Sequence, residues 1–196
     1  MAVTDGIAAS VRRSLERLAE PALAPFLAEW PQNVAARAVV PHSLSVLRWL
    51  PEVAAAAPRF DAELVGELCD VAPLLAWRQT YSVGEVGPQF LDNYGWSELI
   101  GHRGPLPSER VACGFLLLGP ATSYPRHHHQ AEELYLPLAG LAAWQQGDDA
   151  WCERPPGTLI HHRSDEPHAM KTSAQPLLAL YLWRGEGLSG NARLDQ

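Results

Sequence analysis

The residues best placed to do chemistry together lie in the run ATSYPRHHHQAEELYLPLAG, positions 121–140. His127 and His129 are two apart, so an extended segment puts both imidazoles on one face. Glu133 follows four residues after His129, where the chain turns into the alternating run ELYLPL. Two neutral imidazoles and a carboxylate converging from one side suit a borderline divalent metal with open positions for substrate, and a further ligand can come from elsewhere in the chain. Tyr135, two residues beyond Glu133 in the same strand, faces the same way as the carboxylate. Beside a dication a phenolate is favoured, and the phenol can approach the working range of a base. Tyr124, just before Pro125 and the histidines, offers a second phenol at the mouth of such a site. His128, at the odd position, should point away.

The elements that must carry these residues change texture along the chain. Up to about residue 80 the pattern is helical. Ile7, Val11, Leu15 and Leu18 recur at steps of four and three, as do Leu23, Phe26, Leu27 and Trp30. A further helix is expected from about Ser43, carrying Leu44, Leu47 and Leu50, and another from about Phe60, carrying Leu64, Leu68, Val71 and Leu75. Prolines at 21, 31, 41, 51, 58 and 73 punctuate them, since proline removes a donor and clashes with the preceding turn. Trp30, Trp49 and Trp77 are assigned to packing.

Beyond Trp77, short apolar or alternating runs are separated by Gly and Pro. Strands are expected near Gln89–Leu99, Arg110–Leu118, Leu134–Leu138, Leu141–Gln145, Thr158–His161, His168–Thr172 and Leu177–Trp183. Many short strands mean a sandwich or barrel. The organisation expected is an α-helical region over 1–80 packed on a β-barrel over 81–196.

The spacing of His127, His129, Glu133 and Gly140 resembles the first motif of the cupin superfamily. A second cupin motif is recognisable in PPGTLIHHRSDEPHAMKT: a turn at Pro156–Gly157, a strand, then Pro167–His168. That resemblance implies a mainly β fold, a double-stranded β-helix barrel behind the helical region, with His168 as the third imidazole ligand. His161 and His162 receive structural or rim roles. One departure from the pattern is that seven residues separate Gly119 from His127, where the motif has five. Another is that no Asn follows His168.

Within the cupins the chain resembles the dimethylsulfoniopropionate (DMSP) lyases of marine bacteria, most closely the DddQ type. The resemblance is carried by Tyr124, the run His127–His129, Glu133-Leu134-Tyr135 and Pro167-His168-Ala169-Met170 with Lys171-Thr172 behind it. It implies a carbon-sulfur lyase that splits DMSP by β-elimination into dimethyl sulfide and acrylate. His127, His129, Glu133 and His168 would hold one divalent ion (Fe, Zn, Mn, Co or Ni), Tyr135 would remove the α-proton, and Tyr124 would hydrogen-bond the substrate or Tyr135. Sulfonium cations are weakly hydrated and match aromatic faces, so Trp183, Tyr94 and Trp96 are candidates for the cationic end. Cupins commonly dimerise, so a homodimer is also implied. The same ligands would serve a cupin dioxygenase or isomerase acting on a small polar metabolite, or a ligand-sensing barrel.

Composition excludes other classes. Of 196 residues, 47% are hydrophobic and 19% charged, the balance of a globular protein. The formal net charge of −7 gives no basic field for nucleic acid or an anionic membrane. Charges interrupt MAVTDGIAASVRRSLERLAE where a signal peptide needs its apolar run, so a cytoplasmic protein is expected. Cys69, Cys113 and Cys152 are odd in number and far apart, which argues for buried thiols rather than a disulfide framework or zinc ribbon.

Overall fold

Proline spacing sets the lengths of the N-terminal helices. In the computed structural model, which describes residues 2–59 and 61–195, α1 (Ala2–Leu18) runs uninterrupted and stops short of Pro21. The next helices, α2 (Ala24–Ala28) and α3 (Leu50–Ala56), each carry a proline, Pro25 and Pro51, in the first turn. There the missing N–H has no intrahelical partner to lose. The helix expected from Ser43 is therefore a 3-10 turn, Ser45–Trp49, that runs into α3. The one expected from Phe60 is α4 (Ala62–Val71) with a 3-10 turn over Ala72–Leu74; Phe60 itself lies outside the described residues.

After β1 (Trp77–Arg78) comes α5 (Val83–Asp92), which corrects the expected strand at Gln89–Leu99. Ser82 and Glu85 form a reciprocal capping box that starts this helix, and it kinks at Gly87 and Pro88. The strand proper, β2, spans Tyr94–Ile100. Eight of the nine later strands complete the barrel: β3 (Val111–Leu118), β4 (Ser123–His128), β5 (Glu132–Ala139), β6 (Ala142–Gln146), β7 (Cys152–Arg154), β8 (Ile160–His162), β9 (His168–Thr172) and β10 (Leu177–Arg184). The ninth, β11 (Arg193–Leu194), adds an edge. They form two antiparallel sheets, ordered β1-β2-β3-β10-β5-β8 and β11-β4-β9-β6-β7. This is the mainly β cupin architecture.

Period-2 alternation in the six-stranded sheet sorts side chains between two cores. Leu134, Leu136 and Leu138 of β5, with Phe115 and Leu117 of β3 and Leu178, Leu180 and Leu182 of β10, join a cluster that includes Val11 and Leu15 of α1 and Leu64, Val65 and Leu68 of α4. Tyr135, Tyr181, Leu116 and Tyr94 face the other way, into the barrel, with Tyr124, Trp144 and Met170 of the second sheet. Both faces of the sheet are covered, so β3 reads VACGFLLL and is buried throughout. Of the three cysteines, Cys113 is buried and Cys69 half-buried, but Cys152 is exposed: β7 is an edge strand with one neighbour.

Candidate active site

The site is built where the two sheets face each other at one end of the barrel. Glu133 comes from β5, His127 from β4, His129 from the residue beyond it, and His168 from the first position of β9. Antiparallel pairing sets His127 opposite His168. Ligand atoms of His129, Glu133 and His168, all buried, lie within 4.8 Å of one another. His127 is outside that group but adjoins it, its ring centroid 4.2 Å from that of His168 and 6.5 Å from that of His129.

One backbone device orients all three imidazoles. Nδ1 of His127, His129 and His168 lies 2.8, 2.9 and 2.9 Å from the carbonyl oxygens of Pro125, Ala131 and Glu166, each two residues away. A carbonyl only accepts, so each Nδ1 carries the proton and each Nε2 is left for another partner, the arrangement found at metal-bound histidines. His129 Nε2 is 2.8 Å from Glu133 Oε2. His168 Nε2 is 3.2 Å from the same oxygen, out of line for a hydrogen bond and otherwise without a partner among the described residues. A borderline dication fits this donor set.

Without an ion, a proton takes its place. Burial opposes charge on His129, but the Glu133 carboxylate outweighs it and raises the imidazole above its ordinary range. Burial likewise opposes ionisation of Glu133, and His129, followed by His168, holds the carboxyl well below the usual carboxylate range. His127 is held neutral, chiefly by burial and then by His168.

A cavity of about 50 Å³ opens beside these ligands, lined among others by Tyr124, Tyr135, Tyr181 and Trp183. Tyr124 stacks on His127 at 4.1 Å and meets the hydroxyls of Tyr81 and Tyr94 at 3.2 and 3.4 Å. Tyr94, 1% exposed, bonds Thr80 Oγ1 through its hydroxyl at 2.9 Å, and Trp96 Nε1 donates to the same oxygen. Trp183 donates to Glu133 Oε1 at 2.6 Å and lies 4.2 Å over the His129 ring.

Known proteins share this arrangement of chain. The sequence profile of the dimethylsulfoniopropionate lyase family matches residues 21–179. Dimethylsulfoniopropionate lyase DddQ of Ruegeria pomeroyi is 32% identical over 170 residues, 85% of this chain and 83% of its own. The chain belongs to the dimethylsulfoniopropionate lyase family. In three dimensions this family member superposes on a chain from the crystal structures of the DMSP lyases RdDddP and RnDddQII with a TM-score of 0.91, at 32% identity, covering 100% of this chain and 98% of that one. For the crystal structure of DMSP lyase DddQ from Ruegeria pomeroyi the TM-score is 0.89 at 29% identity, covering 98% and 96%.

The remaining histidines of the lyase-family barrel divide between rim and interior. His161 is on the rim, half-exposed and bonded to Glu132. His162, opposite Glu133 in the β5–β8 pairing, is fully buried and stacks on His168 at 4.0 Å with 13° between the planes. Of the structural or rim role expected it takes the structural one, because strand alternation turns it to the same barrel-facing side of β8 as Ile160. Among the described residues neither of its nitrogens has a hydrogen-bond partner, and burial, then His168, pushes its pKa down to about 3. His128 points away from the triad, its Nδ1 2.6 Å from Asp195 Oδ1. Glu98 and Tyr181 also line the cavity. They sit two residues from Trp96 and Trp183, so strand alternation was the signal that could have found them.

Proposed function

We propose that this protein cleaves DMSP by β-elimination to dimethyl sulfide and acrylate, with His127, His129, Glu133 and His168 holding one divalent ion and Tyr135 as the base. The observation that carries the reading is a buried phenol, Tyr135, lining the same cavity as His129 and Glu133 of the triad in a DMSP lyase family member.

Burial first, and then the Glu133 carboxylate, hold the Tyr135 phenol well above its ordinary range, so it is protonated while the triad is metal-free. A dication held by His127, His129, Glu133 and His168 would offset the charge of Glu133 and supply Lewis acidity toward the substrate carboxylate. Tyr135 as phenolate then takes the proton α to that carboxylate. The C–H electron pair becomes the C=C bond of acrylate, the C–S bond breaks, and its electrons leave on neutral dimethyl sulfide. Tyr124, stacked on His127 and tied to Tyr81, steadies the substrate from the opposite wall. Trp183, Tyr94 and Trp96 provide aromatic surface for the sulfonium.

The test is headspace detection of dimethyl sulfide from metal-loaded protein given DMSP. Product is expected from the wild type, lost on chelation and restored by Fe, Mn, Zn, Co or Ni. Tyr135→Phe should lower kcat by roughly 10²–10⁴-fold, the usual weight of a general base. No product with any of these ions overturns the lyase reading; undiminished product from Tyr135→Phe overturns the base role alone.

A further inference from the structure

The cavity does not end at the metal ligands. From Glu133, a file of aromatic rings leads along its wall: Trp183, then Tyr181 with ring centroids 6.2 Å apart, then Trp96 edge-on to Tyr181 at 6.4 Å. On the same strand as Trp96 and two residues further on is Glu98, 6% exposed and lining the same cavity. Gly114 makes this juxtaposition possible. It is paired with Glu98 on one side and Tyr181 on the other, and a Cβ there would come within 2.8 Å of the Tyr181 hydroxyl and 2.9 Å of the Glu98 Cα.

Only one oxygen of Glu98 is provided for. Oε1 accepts the backbone N–H groups of Arg103 and, at 2.8 Å, Gly104. Among the described residues Oε2 has neither a hydrogen bond nor an ion pair. Arg103 sends its guanidinium elsewhere, to Ser189 O at 2.6 Å and Asn191 Oδ1 at 3.1 Å, lying 5.8 Å over the Trp96 ring. The buried Tyr181 hydroxyl likewise has no hydrogen-bond partner among the described residues. A buried carboxylate is tolerated when a positive group completes it, and burial holds this one above the usual carboxylate range. The cavity that Glu98 lines is walled by the rings of Trp96, Tyr94, Tyr181 and Trp183. That combination of a carboxylate and ring faces suits a cation carrying methyl groups, since aromatic faces attract the charge and pack the methyls.

We propose that Glu98 is a specificity-determining residue that receives the methylated cationic end of a zwitterionic substrate, with Trp96 and Tyr181 packed around its methyl groups. The two ends of the cavity then select opposite charges: the triad takes the carboxylate, Glu98 the cation. The assignment deepens the DMSP reading and rests on it for the identity of the cation.

Two carboxylates of equal shape that lack a sulfonium leaving group test it: 3-(trimethylammonio)propanoate and its counterpart with no cationic end, 4,4-dimethylpentanoate. Calorimetry with the metal-loaded full chain should find the cationic compound bound about tenfold more tightly or better, as expected for a partly desolvated cation site. Glu98→Gln keeps the Oε1 acceptor and the side-chain shape but removes the charge. It should erase most of that preference, leave 4,4-dimethylpentanoate binding within about twofold, and with DMSP raise KM more than it lowers kcat. Equal affinities in the wild type, or a preference that survives Glu98→Gln, overturn the proposal. Should that variant not fold, nuclear Overhauser contacts in the wild type decide: methyl protons of the cationic compound should touch the rings of Trp96 and Tyr181, and contacts only elsewhere overturn it. Neither measurement needs turnover. A protein that releases no dimethyl sulfide but keeps the preference refutes the lyase reading and leaves the cation site standing.

Discussion

At His129 a proton and a metal ion compete for one lone pair. Metal loading must displace that proton, so affinity should fall as pH falls, and titration with Co²⁺ followed by its visible spectrum should show proton release on binding. His129→Ala should weaken binding by more than tenfold in the same titration, because it removes a donor whose Nδ1 is already anchored. His162 makes a separate prediction. Its value in the folded protein, about 3, lies below the ordinary imidazole near 6.5, so the unfolded chain takes up the proton first. Its contribution to stability is thus complete above about pH 6.5 and is lost as pH falls toward the folded value. Urea unfolding of the metal-stripped protein should show the wild type losing on the order of 2–3 kcal/mol more than His162→Phe between about pH 7 and pH 4.5. Equal slopes would refute the account of His162.

Among the elements, the β5–β6 turn shows how a motif position becomes a backbone requirement. Gly140, the last residue of the His127, His129, Glu133 pattern, has φ +83°, and a Cβ there would stand 1.9 Å from the Pro176 carbonyl oxygen. Gly140→Ala should cost about 3 kcal/mol or more in urea denaturation, combining left-handed strain with a clash against backbone. The lesson for strands is similar. Alternation in ELYLPL places Glu133 and Tyr135 on one face and the leucines on the other without any knowledge of the fold. It does not reveal His162, since the strand expected at Thr158–His161 ends one residue before β8 does and a short strand has no long pattern to correct it. At 83–92 a capping box outweighed an apolar run that reads equally well as strand.

For the whole molecule, the helices are part of the same core as the barrel's outer face. Leu68 of α4 and Leu136 of β5 belong to one buried cluster that runs from Ile7 to Leu182. Leu68→Ala should therefore shift a single cooperative unfolding transition, at a cost of about 2–5 kcal/mol, with fluorescence and far-ultraviolet dichroism moving together. Two separate transitions would show that the helices melt alone. No helix among the described residues is long and apolar enough to cross a membrane.

The sequence by itself determined the helical region, a β region of sandwich or barrel type, a pair of imidazoles with a carboxylate and the side of β5 on which Tyr135 stands, because these follow from local periodicity and spacing; the choice of barrel and of His168 came through the family resemblance. Which imidazoles come together was decided only by tertiary structure: the triad His129, Glu133 and His168 draws on separate strands of two sheets, and His127 stops at its edge. The same holds for Glu98, whose free oxygen depends on where the Arg103 side chain ends, a distance between loops that no spacing along the chain encodes.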